Sequence, residues 1–422
     1  MPQRIVIIGG GVIGLCSAYY AASEGHEVVV LDRNPPQRDG CSFGNAGMIV
    51  PSHVIPLAAP GMVEYGLRML GNPRSPFSIR PRFSGELLRW GTKFCLSATS
   101  EHVRRAAPVL RDLNLASRAA YIELADAFSP GQGDGGFGLA RHGLVSLCKS
   151  EHTLHEEVEV AALANRLGVP AEVLSAEELA RLDPNITMDV AGGVYFPKDC
   201  HLNPSLFMEA LQQRIGERGG RVVFGAEVTS LRRVSGQVLA AESTAGVFEA
   251  DTFVIAGGSW SPLLAALLGL DLPMQAGKGY SLTMSRPRQQ PKICSILTEA
   301  RVAVTPMGDT LRFGGTMEIA GLDESVSAER VRGIIESVPK YYPAFAPADF
   351  AGITPWKGLR PCSPDGLPYV GRTSRAGNVV IATGHAMMGL SLGPVTGKLV
   401  ADLLARRRPT INLSMLSPER FE

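Results

Sequence analysis

The residues from Arg4 to Asp32 restrict the fold more than any other part of the chain. Arg4 to Ile8 reads as a short, continuously apolar strand and Val12 to Glu24 continues with helical character, so Gly9-x-Gly11-x-x-Gly14 stands where strand becomes helix. In that context the three glycines differ in what they allow. Gly9 permits the tight turn, Gly11 lets a pyrophosphate approach the backbone, and Gly14 allows the helix to pack closely on the strand. The start of the helix adds unpaired N–H groups and the positive end of its dipole. His26 to Leu31 reads as a second buried strand, with VVVL at its centre, and ends in Asp32, 18 residues beyond Gly14. A carboxylate there accepts both ribose hydroxyls of an adenosine. Strand, glycine turn, helix, strand and acid in that order predict an adenine dinucleotide; they do not decide between NAD and FAD.

At 422 residues the chain is long enough for two intertwined domains. Hydrophobic residues make up 45% and charged residues 19%, the balance of a globular chain that can bury a core. Lys and Arg exceed Asp and Glu by only 41 to 40, so there is no overall charge to draw nucleic acid, and a small molecule is the expected partner. Seven scattered cysteines without a C-x-x-C or a His/Cys cluster argue against a disulfide framework and against a metal site. They read as reduced thiols of a cytoplasmic protein. No apolar run reaches the ~18–20 residues that span a bilayer, and the opening stretch, with an Arg and four glycines, reads as a strand and not as a signal segment.

Three later stretches favour the flavin dinucleotide. The loop Gly40 to Met48 is rich in small residues, and its Ser42, Asn45, Ala46, Gly47 and Met48 can run along a pyrophosphate and an isoalloxazine. Asn203-Pro204 marks a capped helix start, followed by a strand at 221 to 231 and another at 250 to 261 that runs into Ala256-Gly257-Gly258. The nucleotide-binding sheet thus resumes some 150 residues after its first strands, as in flavoproteins with a discontinuous cofactor domain. Finally, Asn378 to Thr383 is strand-like, GHAMMGLSLGP is a second glycine-rich loop, and Leu392, Val395, Leu399 and Leu403 mark a closing helix. The start of that helix can face the negative charge that builds on a reduced flavin.

On these residues the chain resembles the D-amino-acid dehydrogenase branch of the glycine oxidase and D-amino-acid oxidase superfamily of flavoproteins. GGGVIGLCSAYY, SFGNAGMI, VLSAEELARLDP, AGGSWS, GKGYSLTM, LRFGGTMEIAG, WKGLRPCSPDGLPYVGR and TGHAMMG occur in the expected order over nearly the whole length. The resemblance implies an α/β chain: a Rossmann-type, discontinuous FAD-binding domain (1–93, 198–262 and 354–422) and an α+β substrate domain (94–197 and 263–353) whose largely antiparallel sheet roofs the flavin. It implies FAD, held noncovalently, at Gly9, Gly11, Val12, Ile13 and Gly14, at Asp32 and Arg33, along Ser42 to Met48, and at Val228, Gly257, Gly258 and Trp260. Gly358, Gly384, Met387, Met388, Gly389, Leu390 and Ser391 then line the flavin. The residues agree with this layout: 104 to 128 and 151 to 167 read as helices, Ser175-x-x-Glu178 as a capping box, and 279 to 319 as antiparallel strands.

An amino acid oxidised at Cα must present its Cα–H to flavin N5 with the amine neutral, so positioning does most of the work. A planar guanidinium grips a carboxylate through two parallel hydrogen bonds, and the resemblance places the carboxylate-binding arginine at Arg360. The alternative is a structural pair between Arg360 and an acid such as Asp365. Where glycine oxidases carry an active-site tyrosine, Ala303 stands here, two residues beyond Arg301; Tyr280, Tyr341 or Tyr342 would then complete the carboxylate site. Met387 replaces an arginine beside the flavin and leaves an apolar wall, which makes glycine a poor substrate. His385 is a candidate proton relay, and His53 and Met48 are candidates to face the substrate. Cys362 does not match the position of covalent flavin attachment in sarcosine oxidases.

The stretch from Pro56 to Phe94 mixes Arg68, Arg74, Arg80 and Arg82 with Phe77, Phe83 and Trp90. It is either a solvated face or, by analogy with dehydrogenases that pass electrons to a quinone or the respiratory chain, a peripheral contact with the inner membrane. Two other readings stay open: an oxidase of the glycine or sarcosine type using O2, and a redox-silent FAD-binding subunit. A nicotinamide enzyme lacks support, because no second G-x-G-x-x-G with a following acid exists. Substrate and stereochemistry, with D-alanine-like and cyclic acids such as D-proline or D-hydroxyproline as options, and the oligomeric state are not legible.

Overall fold

The computed structural model of the chain describes residues 2–37, 39–69, 72, 74–80 and 82–422. The opening motif forms as its spacing predicts. The strand Arg4–Ile8 is buried beyond its first residue, and the helix Val12–Ser23 follows after the glycine turn. A Cβ on Gly14 would meet the carbonyl oxygen of Gly9 at 1.9 Å, so only glycine lets the helix lie this close to the strand.

Around this unit a six-stranded sheet runs in the order Tyr369–Thr373, Ala376–Thr383, Thr252–Ile255, Arg4–Ile8, Glu27–Asp32, Arg221–Phe224. All pairings are parallel except that of the last two strands in the chain. The central strands are apolar on both faces, as a parallel sheet covered on both sides requires. The helices Val12–Ser23, Pro204–Gly216 and Gly393–Leu404 contribute to a core on one face. Asn203 caps the second of these through its side chain, and Ser175 with Glu178 forms the expected capping box at Ala176–Leu182.

The second sheet has nine strands, mostly antiparallel, in the order Trp356–Cys362, Gln275–Ser285, Thr310–Ile319, Val302–Met307, Cys294–Leu297, Leu144–Cys148, Gly192–Phe196, Glu172–Ser175, with Phe77–Ile79 added in parallel beside Thr310–Ile319. Phe77–Ile79 and Trp356–Cys362, expected from the sequence among the cofactor-binding segments, hydrogen-bond into this sheet instead. One face packs against the helix Ala328–Tyr341 around Tyr280, Phe313, Ile334 and Tyr342. The other face carries the residues that meet the Gly40–Met48 loop.

Candidate active site

A cleft follows the carboxyl ends of the parallel strands, where open α/β sheets bind their ligands. Gly9 to Ile13 form its floor, and Asp32 and Arg33 stand at the end of the second strand. Asp32 is 6% exposed; its Oδ2 accepts from Gly10 N at 3.1 Å and its Oδ1 from Asn34 N at 2.8 Å. A carboxylate buried at that position is held ready for a ligand's hydroxyls. The Arg33 guanidinium stacks over the Trp260 ring at 3.7 Å, joining two expected cofactor residues at one end of the cleft. Ser42 Oγ accepts from Val12 N at 2.9 Å and so bends the loop over the helix start. Val228, Gly257, Gly258, Asn45, Gly389 and Leu390 complete the wall, with Phe43 from the expected Ser42–Met48 run and with Cys41, Thr383, Leu359 and Pro361, which the sequence does not single out individually.

Several expected cofactor residues lie outside this lining. Gly14 packs against the strand, Gly47 meets the Leu202 carbonyl, Gly358 and Gly384 lie against the Trp356 and Tyr369 rings, and Ser391 Oγ is committed between Val50 N and Asn114. Met48 and Ala46 pack with Ala303 and Met388 in an apolar cluster. Met387, expected to wall the flavin, is 44% exposed and does not line the cleft. The short helical turn Ala386–Met388 carries Ala386 inward in its place.

Strand register decides which candidates meet. Gly277 pairs with Arg360, Gly279 with Gly358 and Ser281 with Trp356, so these residues share one sheet face. Tyr280, paired with Lys357, projects from the other. Its hydroxyl is 3.1 Å from Glu318 Oε2 and accepts from Ser327 N. Tyr341 donates to Glu299 and Tyr342 bonds Ser295. All three tyrosines belong to the core behind the sheet, which corrects the expectation that one of them completes a site with Arg360.

Arg360 itself is half-buried on strand Trp356–Cys362, with Nη1 donating to Thr316 O at 2.7 Å. Thr316 lies where the register beside Gln275–Ser285 shifts, and its φ of 64° is strained for a β-branched residue. A Cβ on Gly279 would be 2.2 Å from both Nη atoms, so glycine leaves the room the guanidinium occupies. Among the described residues no carboxylate lies within ion-pair distance of Arg360. Asp365 is held instead by Arg420, through bonds of 2.7 and 2.8 Å.

His385 lines the cleft, and burial pulls its pKa down to about 3. Its Nε2 is 2.9 Å from Thr396 Oγ1, while Nδ1 has no partner. A ring that stays neutral so far below neutral pH is a weak proton acceptor, so the structure favours a hydrogen-bonding role over the expected relay. His53 lies near Arg301, whose charge adds to burial in lowering its pKa to about 4, and the Arg301 guanidinium stands 5.8 Å from the Tyr65 ring. Neither His53 nor Arg301 lines the cleft. The Cys362 thiol is buried, and its pKa is pushed up to about 12.

These buried groups predict acid lability. Burial lowers His53 and His201 to about 4 and His385 to about 3, and it raises Asp199 to about 7 against hydrogen bonds from Ser52. As pH falls from ~6.5 to ~4, the unfolded chain gains protons on three rings that the native protein leaves neutral, while Asp199 retains one that the unfolded chain has released. The net of about two protons favours unfolding, so stability should fall by roughly 2–3 kcal/mol per pH unit in that window. Urea midpoints that stay level from pH 7 to pH 5 would contradict this.

The expected basic face is largely neutralised. Arg68 pairs with Glu64, Arg74 with Glu329 and Glu336, Arg80 with Asp323, and Arg89 with Asp271. Residues 70, 71, 73 and 81 of that stretch lie outside the described residues. Leu67, Phe83, Leu88 and Leu96 are exposed there. Among the described residues no helix is long and apolar enough to cross a membrane, and no group of side chains could hold a metal ion.

Residues 4–403 match the DAO family, FAD dependent oxidoreductase. The chain belongs to this family. A DAO-family chain depends on FAD, and the cleft suits it: bare glycine backbone at a helix start, a buried acid at the ribose position, and a loop closing over both. Relatives similar over nearly full length include the D-amino acid dehydrogenases of Granulibacter bethesdensis (32% identical, 99% of this chain and 100% of that protein) and of a Methylobacterium species (33%, 99% and 99%). Among solved structures, glycine oxidase from Geobacillus kaustophilus superposes with a TM-score of 0.78 at 24% identity, covering 100% of this chain and 99% of that one. L-Proline dehydrogenase from P. horikoshii does so with 0.73 at 18%, covering 100% and 98%. These neighbours share the fold.

Proposed function

We propose that this DAO-family enzyme dehydrogenates D-amino acids, with Arg360 holding the substrate carboxylate. The observation that carries the reading is a half-buried guanidinium with no carboxylate partner among the described residues, on the sheet face that carries Gly279 and Gly358. The named activity of the relatives at 32–33% identity supports the D-amino acid class. FAD, when bound, would supply the two-electron acceptor for the hydride that leaves Cα. The protein's share is positional: Arg360 fixes the acid group, and the strained Thr316 carbonyl orients Arg360. His385 offers a neutral hydrogen-bonding edge. The expected products are an imine that water hydrolyses to a 2-oxo acid and ammonia, or a cyclic imine from D-proline or D-hydroxyproline.

Electrons pass in this reading to a quinone or respiratory acceptor, and the exposed Leu67, Phe83, Leu88 and Leu96 offer an apolar place for peripheral membrane contact. The test is a panel of D- and L-amino acids, including the cyclic ones, with a dye or quinone analogue as acceptor against air alone. Reoxidation by air as fast as by the dye would favour an oxidase. Failure of every amino acid to bleach the flavin anaerobically would favour a redox-silent subunit. FAD should be released by acid precipitation, leaving colourless protein; yellow precipitate would show covalent attachment.

A further inference from the structure

The loop from Gly40 to Gly47 lies between the two sheets, and both grip it. On the six-stranded side Ser42 accepts from Val12 N. On the nine-stranded side three successive carbonyls are taken: Arg312 Nη1 donates to Phe43 O at 3.0 Å and to Asn45 O at 2.7 Å, and Ser281 Oγ donates to Gly44 O at 3.0 Å between them. Trp356 covers Gly44, where a Cβ would come within 2.0 Å of the indole. Ser42, Phe43 and Asn45 line the cofactor cleft.

Arg312 is the unusual member of this clamp. It is half-buried, its third bond runs from Nε to Thr283 Oγ1 at 3.0 Å, and every partner is a neutral oxygen. Among the described residues no carboxylate lies within ion-pair distance of it. Lost solvation alone draws its pKa down to about 10. A cation held away from water costs free energy unless an anion lies near, and the loop it braces walls the cleft of a dinucleotide with two phosphates.

We propose that Arg312 is a positioning residue for FAD: it holds the 43–45 loop against the cofactor, and its counter-charge is the bound dinucleotide itself. Two-electron reduction of FAD with uptake of one proton adds a further negative charge, so Arg312 favours the reduced form over the oxidised one. This rests on FAD binding and not on the identity of the substrate, so a failed amino-acid panel leaves it standing.

The experiment compares wild type, Arg312→Met, Arg312→Lys and Ser281→Ala. Apoprotein is titrated with FAD by fluorescence quenching, and the potential of each holoprotein is read by dithionite titration against a reference dye. Arg312→Met should bind FAD at least ~10-fold more weakly and its reduced form ~10-fold more weakly again, a potential about 30 mV more negative. Arg312→Lys keeps the charge and should restore the potential while leaving FAD binding weakened. Ser281→Ala loosens the loop alone and should weaken binding with the potential unchanged. A wild-type potential in Arg312→Met overturns the proposal. If that variant does not fold, a potential lowered by about 30 mV in Arg312→Lys or in Ser281→Ala, which both keep the charge, overturns it.

Discussion

Replacing Arg360 by methionine should lower kcat/KM for amino-acid oxidation while leaving FAD bound. Truncating one partner of a hydrogen-bonded, desolvated charge pair costs about 2–5 kcal/mol, which corresponds to about 30- to 4,000-fold. Lysine keeps the charge but cannot form two parallel bonds, so Arg360→Lys should lose less and lose it mainly as a higher KM. Gly279→Ala gives an independent arm. Its new Cβ falls on the guanidinium's present position, so the arginine must move although it is chemically intact. All three variants should retain the flavin's visible spectrum, since neither Arg360 nor Gly279 lines the cleft. Steady-state kinetics with a dye acceptor checks this. An Arg360→Met enzyme with unchanged apparent affinity would remove Arg360 from the carboxylate site and leave its bond to Thr316 as its whole purpose.

Gly14→Ala should yield protein that folds around a weakened cofactor site. The added carbon meets Gly9 O at 1.9 Å, against backbone that cannot swing aside, so the helix Val12–Ser23 must back away from the strand by about 1 Å. Overpacking of this kind costs about 1–3 kcal/mol. Taken from FAD binding, that is about 5- to 150-fold in affinity, because the retreating helix carries the N–H groups that would face a bound pyrophosphate. The ratio of flavin to protein after gel filtration measures it. Full occupancy with a wild-type melting temperature would show that the turn tolerates a side chain.

The cofactor half was legible in the order of residues alone, because the determinants there are local. Gly9, Gly11 and Gly14 act on backbone a few residues away, Asp32 ends the very next strand, and Asn203 and Ser175 cap the helices they precede. Such features depend on neighbours in the chain, so their spacing carries the information. The motifs WKGLRPC, GKGYSLTM and LRFGGTMEIAG were equally visible, yet their division of labour was not. Alternation along a strand says that Tyr280 and Gly279 point to opposite faces; it does not say which face meets the cleft. That depends on pairing with Trp356–Cys362, some 80 residues away. The same holds for Asp365, whose partner Arg420 lies 55 residues on and frees Arg360, and for Arg312, whose bonds reach back to Phe43 and Asn45. Packing of the nine-stranded sheet over the loop placed Arg312 against Phe43 and Asn45 and the three tyrosines in the core behind, since burying the apolar face against the helix Ala328–Tyr341 leaves the other to the loop.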